Sequence, residues 1–272
     1  MLYLVSTPLG NLKDITLRSL EILKECDLIL CEDTRHSKVL LNHYEINTPL
    51  KSLHKFNEQK ELEPILALLQ EGQTIALISD AGTPCIQDPG ALLVKACQER
   101  SIEVNALPGP CAFVTAISLS GEEEGPFQFV GFFPKKEEAL KKLLLSLLEY
   151  EGHSLAYVSP HQLTRTLHTL SLLDESRSLF LVRELTKYYE ESYHGTPKDL
   201  YEHFKKKAPK GEFVIMIKKS LKQENFDHLS LPDHVAYLEE TYHLSKNDAI
   251  KLAAKQRGLS KRDIYNLVQK KP

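Results

Sequence analysis

The strongest constraint on the fold is an alternation along the chain. Short aliphatic, β-branched runs (LYLVS at 2–6, DLILCE at 27–32, TIALIS at 74–79, IEVNAL at 102–107) are separated by stretches of helical apolar spacing near 16–25, 35–44, 57–71, 89–100 and 110–119. Strands that alternate with helices predict βαβ units and a mostly parallel sheet. After SGEEEGP (120–126), where glycine, acid and proline cluster as in a linker, a second series follows. Its strands are expected near 127–132, 154–158, 178–183, 189–194 and 212–218, and its helices near 136–149, 161–172 and 197–206. Beyond Lys219 the strand signals stop, and 232–270 reads as two or three short helices with Leu252, Leu259, Ile264 and Leu267 on their apolar faces. The expected fold class is therefore α/β, with α/β domains at 1–120 and 127–219 and a helical tail at 230–272, a division that 272 residues accommodate.

With 42% hydrophobic and 26% charged residues the chain has the composition of an ordinary folded protein. No apolar run reaches membrane-spanning length, and MLYLVSTPLG enters a strand-like run without a basic leader, so a cytoplasmic protein is expected. The five cysteines (Cys26, Cys31, Cys85, Cys97, Cys111) are odd in number and lack CxxC spacing, which argues against disulfides and zinc. His36, His54, His161 and His194 show no ligand pattern either, so no metal is expected. A net charge of −3 discourages a nucleic-acid reading, yet the average hides an asymmetry. From 241 onward Lys246, Lys251, Lys255, Arg257, Lys261, Arg262, Lys270 and Lys271 face only Asp248 and Asp263, a surplus of six positive charges. On charge alone, solvated helices explain these lysines better than contact with a polyanion.

Three glycine-containing loops directly follow strand-like runs: STPLGN (6–11), SDAGTPCIQDPG (79–90) and PGPCA (108–112). Open α/β sheets bind ligands at the carboxyl ends of their strands, so loops at those ends are natural walls of one pocket. Any one of them alone is more often a plain tight turn than a binding loop, and it is the combination of three at one edge that favours a pocket. Neither GxGxxG nor GxxxxGK[ST] occurs, so an ordinary dinucleotide or P-loop site is poorly supported.

In order along the chain stand TPLGN (7–11), CEDTR (31–35), SDAGTPCIQDPG (79–90), PGPCA (108–112), GFFPKK (131–136), SPH (159–161), RELTK (183–187) and KGEF (210–213). Their wording and order resemble the ribosomal RNA small-subunit methyltransferase I family of the tetrapyrrole methylase superfamily, over about 1–219 and more weakly through LSKRDIYNLV (259–268). The resemblance implies S-adenosylmethionine as methyl donor, bound in the cleft between two α/β domains, and a homodimer. It implies 2′-O-methylation of a cytidine in small-subunit ribosomal RNA, free or in the assembled 30S subunit. Position by position, it places the cofactor loop on Ala81, Gly82, Thr83 and Pro84, with an aliphatic contact at Ile86 and a small pair at Cys111 and Ala112. Leu9 and Gly10 occupy the first loop, and Val158 and Leu185 wall the adenosine side from the second domain. Small residues would let backbone groups approach the ligand. The chain departs from the family where it has Val158 for a common glutamate and Gln162 for a common arginine.

Methyl transfer from a sulfonium needs an attacking oxygen held close and in line, and a weakly acidic ribose hydroxyl gains from a base within hydrogen-bond reach. Glu32, which ends the second strand-like run, falls where the resemblance puts an acidic residue in the substrate cleft; Asp33 follows it, and Arg35 would clamp a phosphate. Asp33 is as well suited to cap the next helix and pair with Arg35. Asp80, at the mouth of the cofactor loop, is the third acidic candidate, or else the holder of the SDAG turn. Lys187, with Glu184, and Lys135 are candidate RNA or cofactor contacts, or an interdomain ion pair and ordinary surface lysines.

In the tail, capping residues precede two short helices joined by a glycine turn, as in helix-turn-helix units, and Lys255, Arg257, Lys261 and Arg262 are the candidate phosphate contacts. Two alternatives stand beside the resemblance: a tetrapyrrole C-methyltransferase, which would be expected to show a GAGPGD-like first loop and no basic tail, and a nucleic-acid-binding protein without catalysis.

Overall fold

The computed structural model describes residues 1–122, 125–220, 226, 228–242 and 244–269. The first sheet has five parallel strands, β1 (Leu2–Val5), β2 (Leu28–Cys31), β3 (Leu50–Ser52), β4 (Ile75–Ile78) and β5 (Val104–Leu107), in the order β3-β2-β4-β1-β5. Val5 of the inner strand β1 lies opposite Ile78 of β4 on one side and Leu107 of β5 on the other. Strand β4 is buried along its whole length because both faces of the sheet are covered. On one face α1 (Leu17–Glu25) and α2 (Thr34–His43) bring Leu23 and Leu41 against Val5, Ile29 and Ile78. On the other, α3 (Glu58–Gln70) and α4 (Ala91–Glu99) bring Ile65, Leu66 and Leu93 against Leu2, Leu30 and Leu77. Strand β3 escapes the sequence pattern because it is only LKS, half-buried, with too little apolar alternation to register.

The second sheet contains β6 (Phe127–Phe132), β7 (His153–Val158), β8 (Leu179–Arg183), β9 (Glu191–Gly195) and β10 (Phe213–Ile217), in the order β6-β7-β10-β8-β9. Only β6 and β7 are parallel; the other neighbours are antiparallel. One face is covered by α6 (Glu137–Leu148), α7 (Pro160–Leu173) and α8 (Pro197–Lys206). The other is covered by a helix from the first unit. Ala112, Phe113, Ala116 and Ile117 of α5 (Ala112–Ser120) pack on Leu155, Phe180, Val182, Val214 and Met216, and Phe113 stacks on Phe129 at 4.5 Å between centroids. Apolar burial at α5 thus fixes the two units against each other, so the loop ahead of it is held at their junction.

The tail forms α9 (Leu231–Tyr242), α10 (Lys246–Gln256) and α11 (Lys261–Gln269). Ser-x-x-Asp boxes open all three: the Asp233, Asp248 and Asp263 amides donate to the hydroxyls of Ser230, Ser245 and Ser260. Val235, Leu238, Ile250, Ala253 and Ile264 form the small core, which Leu252 extends toward the second unit. Leu259, expected on an apolar face, is 43% exposed because it stands in the turn after Gly258. The Leu267 side chain, Glu123 and Glu124 of the linker, and Lys270 and Lys271 lie outside the described residues. The tail is docked rather than loose: Lys142 of α6 pairs with Asp248 at 3.1 Å, and the Gln256 side-chain amide donates to Glu149 at 2.9 Å. Among the described residues no helix is long and apolar enough to cross a membrane.

Candidate active site

Because β2, β4, β1 and β5 are consecutive neighbours, the loops that leave their carboxyl ends meet along one edge of the sheet. Thr7 and Gly82 form a two-bond antiparallel bridge, each amide donating to the other carbonyl at 2.9 Å. The Thr7 hydroxyl donates to the Ser79 carbonyl at 2.9 Å and the Ser79 hydroxyl to the Gly82 carbonyl at 2.9 Å. Thr83 ties in the third loop: its hydroxyl accepts from Ser6 at 3.1 Å and donates to the Pro110 carbonyl at 3.0 Å. The loops that the sequence spacing brings to one edge are thus joined by hydrogen bonds into one rigid floor.

Two details differ from the sequence reasoning. Gly82 is not small so that its own backbone can meet a ligand, since both its polar groups are committed to Thr7. It is glycine because its φ is +84° and a Cβ would stand 3.1 Å from Leu9 Cδ2. The Thr83 hydroxyl is likewise a brace. Around them Pro84 is buried, Ala81 and Ile86 are exposed, and Cys111 and Ala112 are half-buried at the start of α5. Cys111 supplies no side-chain cap, so first-turn amides of α5 remain for other partners. Tyr157 of β7 packs with Phe129 against α5, and burial pushes its pKa up.

From the second unit, RELTK reaches the first loop. A Cβ on Gly10 would come within 2.1 Å of Lys187 Cγ, so glycine is required where the lysine stem crosses it. Lys187 Nζ sits 3.1 Å from Glu184 and 2.9 Å from Glu212, an ion cluster internal to the second unit rather than a pair across the junction. Leu185 joins the apolar contact around α5, whereas Val158 turns to the opposite face with Phe133 and Leu163. Gln162 donates to the Phe133 carbonyl at 3.4 Å. Backbone strain concentrates in these loops: of the six non-glycine residues with positive φ among the described residues, Cys85, Gln87, Glu184 and Thr186 lie here. The Thr186 hydroxyl is buried without a partner among the described residues.

The acidic candidates gather at the ends of β2 and β4. Asp33 caps α2, its carboxylate accepting from the Arg35 amide at 2.8 Å, and Arg35 closes a two-bond pair on it that holds the carboxyl well below the usual range. A carboxylate so engaged is a weak proton acceptor, which leaves Glu32 and Asp80. Asp80 accepts from the Asp33 amide at 3.3 Å instead of closing its own turn. Beside them stands Asp88, which the sequence reasoning misses: burial, then the Glu32 and Asp80 charges, push its pKa up to about 6. Its one sign in the sequence is its place in the DPG end of the loop. Among the described residues no group of histidines, cysteines and carboxylates is placed to hold a metal.

Of the candidate phosphate contacts, Arg35, Lys135, Lys255, Lys261 and Arg262 are exposed. Arg257 is a strut of the tail instead, donating to the carbonyls of Phe226 and Leu229 and to His234 Nδ1.

Residues 1–201 match the family profile of the Tetrapyrrole (Corrin/Porphyrin) Methylases. The chain is 42% identical over 270 residues to "Ribosomal RNA small subunit methyltransferase I" of Synechocystis sp., covering 98% of this chain and 96% of that protein. It is 44% identical over 269 residues to the protein of the same name from Escherichia coli O157:H7, covering 97% and 93%. Among solved structures, uroporphyrin-III-C-methyltransferase from Thermus thermophilus superposes with a TM-score of 0.57 at 20% identity, over 80% of this chain and 94% of that one. A cobalt precorrin-4 methyltransferase gives 0.60 at 16%, over 79% and 93%. At such identities these two share the fold.

Proposed function

The chain belongs to the ribosomal RNA small subunit methyltransferase I family of tetrapyrrole methylases, and on that premise we propose that it methylates small-subunit ribosomal RNA on a cytidine 2′-hydroxyl, using S-adenosylmethionine. The observation that carries the reading is the junction of three hydrogen-bonded glycine loops with a carboxylate cluster at one sheet edge. The residues fit the cofactor: a Gly82 floor, an α5 start whose N-cap residue makes no side-chain bond, and a Thr186 hydroxyl buried without a partner among the described residues. Leu9, Gly10, Ala81, Pro84, Ile86, Cys111, Ala112 and Leu185 would form its walls, Gly82 and Thr83 their braces.

S-adenosylmethionine supplies an electrophilic methyl group. The protein's part is to align the ribose oxygen and take its proton, a role we assign to Glu32, with Asp80 and Asp88 as neighbouring acids. Arg35 and the exposed tail cations Lys255, Lys261 and Arg262 would meet phosphates. The same reading includes a cytoplasmic homodimer, for which the family resemblance is the support; sedimentation equilibrium tests the dimer. The tetrapyrrole alternative has only the shared fold behind it. The decisive experiment incubates the protein and labelled S-adenosylmethionine with 30S subunits from a strain lacking the endogenous enzyme, then maps ribose methylation. Calorimetric cofactor binding without label in the RNA would refute the assigned substrate.

A further inference from the structure

We propose that the pocket beside Glu32 seats one unstacked nucleotide of the RNA, its base stacked on Phe56 and its phosphate held at the rim by Lys55 and Arg35. The inference rests on the RNA-methylating reading and deepens it. The pocket encloses about 470 Å³ and is lined by the Glu32–Arg35 turn, Ser52, the His54–Phe56 loop and Asp80, so it adjoins the cofactor loop that begins at Ala81.

Phe56 is 96% exposed, an extreme value for a phenylalanine. Its loop is nevertheless built to hold one shape. The His54 amide donates to Asn57 Oδ1 at 2.8 Å, Asn57 Nδ2 donates to the Ser52 carbonyl at 3.1 Å, and the Asn57 and Glu58 amides both donate to the His54 carbonyl at 3.0 Å. Lys51 pairs with Glu61 at 2.7 Å beneath it. A braced loop that presents a bare ring is what a splayed base requires, since every base offers a π-face and single-stranded RNA is bound largely by such stacks. His54 Nδ1 is buried in the same loop with no hydrogen-bond partner among the described residues, a polar atom left for a ligand.

The charges give the nucleotide its direction. Glu32, Asp33 and Asp80 repel a phosphate from the interior, whereas the Arg35 side chain, 90% exposed, and Lys55 stand at the surface. A nucleotide therefore enters with its phosphate outward and its ribose toward the carboxylates and the cofactor floor.

The test uses a short single-stranded RNA oligomer carrying 2-aminopurine, whose fluorescence is quenched by stacking, titrated into the full-length protein and its Phe56→Ala, Phe56→Leu, Phe56→Trp and Lys55→Ala variants. Such an exposed side chain can be replaced without threatening the fold, and unchanged S-adenosylmethionine affinity checks this. Quenching by the parent and by Phe56→Trp is expected, with roughly 5- to 150-fold weaker binding and lost quenching for Phe56→Ala and Phe56→Leu. Lys55→Ala should lower the salt slope by about 1. Parent-like affinity in Phe56→Ala, parent-like affinity in Phe56→Leu, or no quenching by the parent protein overturns the proposal. So does a Phe56→Ala variant that keeps its RNA affinity but dissociates without RNA, which assigns the ring to contact between copies. Methylation of 30S subunits, read separately, tells the two failures apart: quenching without methyl transfer refutes the activity, and methyl transfer that is indifferent to Phe56 refutes this pocket.

Discussion

Asp88→Asn should make the protein more stable, and by an amount that depends on pH. Burial and the neighbouring Glu32 and Asp80 carboxylates raise Asp88 from 3.8 to about 6. At about 1.4 kcal/mol per tenfold change in proton affinity, the folded state bears about 3 kcal/mol against the ionised form. The sign follows from proton binding. Between about pH 4 and pH 6 the folded chain holds a proton that the unfolded chain has released, so stability falls as pH rises through this window and then levels off. Asparagine has the same shape and no charge, so it lacks this penalty. Its advantage over the parent is about 3 kcal/mol at pH 7.5 and shrinks to about 1 kcal/mol at pH 4.5. Urea unfolding of both proteins at the two pH values measures the difference directly. A stability gap that is the same at pH 4.5 and 7.5, or that favours aspartate at pH 7.5, refutes the claim that this carboxylate is held charged against burial and like charge. Turnover should fall in the same variant, since a carboxylate kept at such a cost beside a cofactor loop is a mark of function.

Gly82→Val must adopt a φ of +84° with its branched carbon against Leu9, so S-adenosylmethionine affinity should drop at least tenfold by calorimetry; unchanged affinity moves the cofactor floor elsewhere. Glu32→Gln should keep cofactor affinity and lose roughly 10²-fold or more in single-turnover rate, whereas Asp33→Asn, which keeps the helix cap and gives up only the charged clamp on Arg35, should lose less; the reverse order shifts the proton acceptor to Asp33. Replacing Lys255, Lys261 and Arg262 by alanine should leave cofactor binding intact and flatten the salt dependence of RNA binding by roughly 0.7–0.9 for each phosphate that is no longer neutralised; an unchanged slope refutes an RNA role for this face.

The strand-loop pattern is legible in the sequence because the inner strands of the first sheet, β2 and β4 above all, are covered on both faces and read as continuous apolar runs. The same pattern points to the sheet edge where the cofactor pocket is proposed, since ligand-binding loops in such sheets follow strands. It does not show where α5 packs. Ala112, Phe113 and Ala116 look like any apolar helix face, and only the three-dimensional arrangement reveals that they bury against the second sheet. Val158 and Arg257 depart from expectation for a related reason: a strand residue near a site faces one side or the other, and a cation in a basic tail can be spent on backbone carbonyls. Asp88 and Phe56 stand inside or beside motifs already in view. Their meaning depends on burial in one case and exposure in the other, which a pattern of letters does not carry.

An acidic chain with a carboxylate cluster at its centre is an unexpected partner for a polyanion, and the placement of charge resolves the conflict. Affinity for RNA comes largely from phosphates, which lie on the outside of the strand, and in the proposed complex they would be met by the exposed cations Arg35, Lys55, Lys255, Lys261 and Arg262. The chemistry needs the opposite sign, a carboxylate near a hydroxyl, and Glu32, Asp80 and Asp88 stand at the sheet edge instead of at the rim. A basic interior would bind the backbone more tightly and hold the wrong group against the cofactor floor. Net charge therefore says little about whether such a protein engages RNA; on the proposed reading, the separation of a cationic rim from an acidic interior would decide which part of the nucleotide is turned inward.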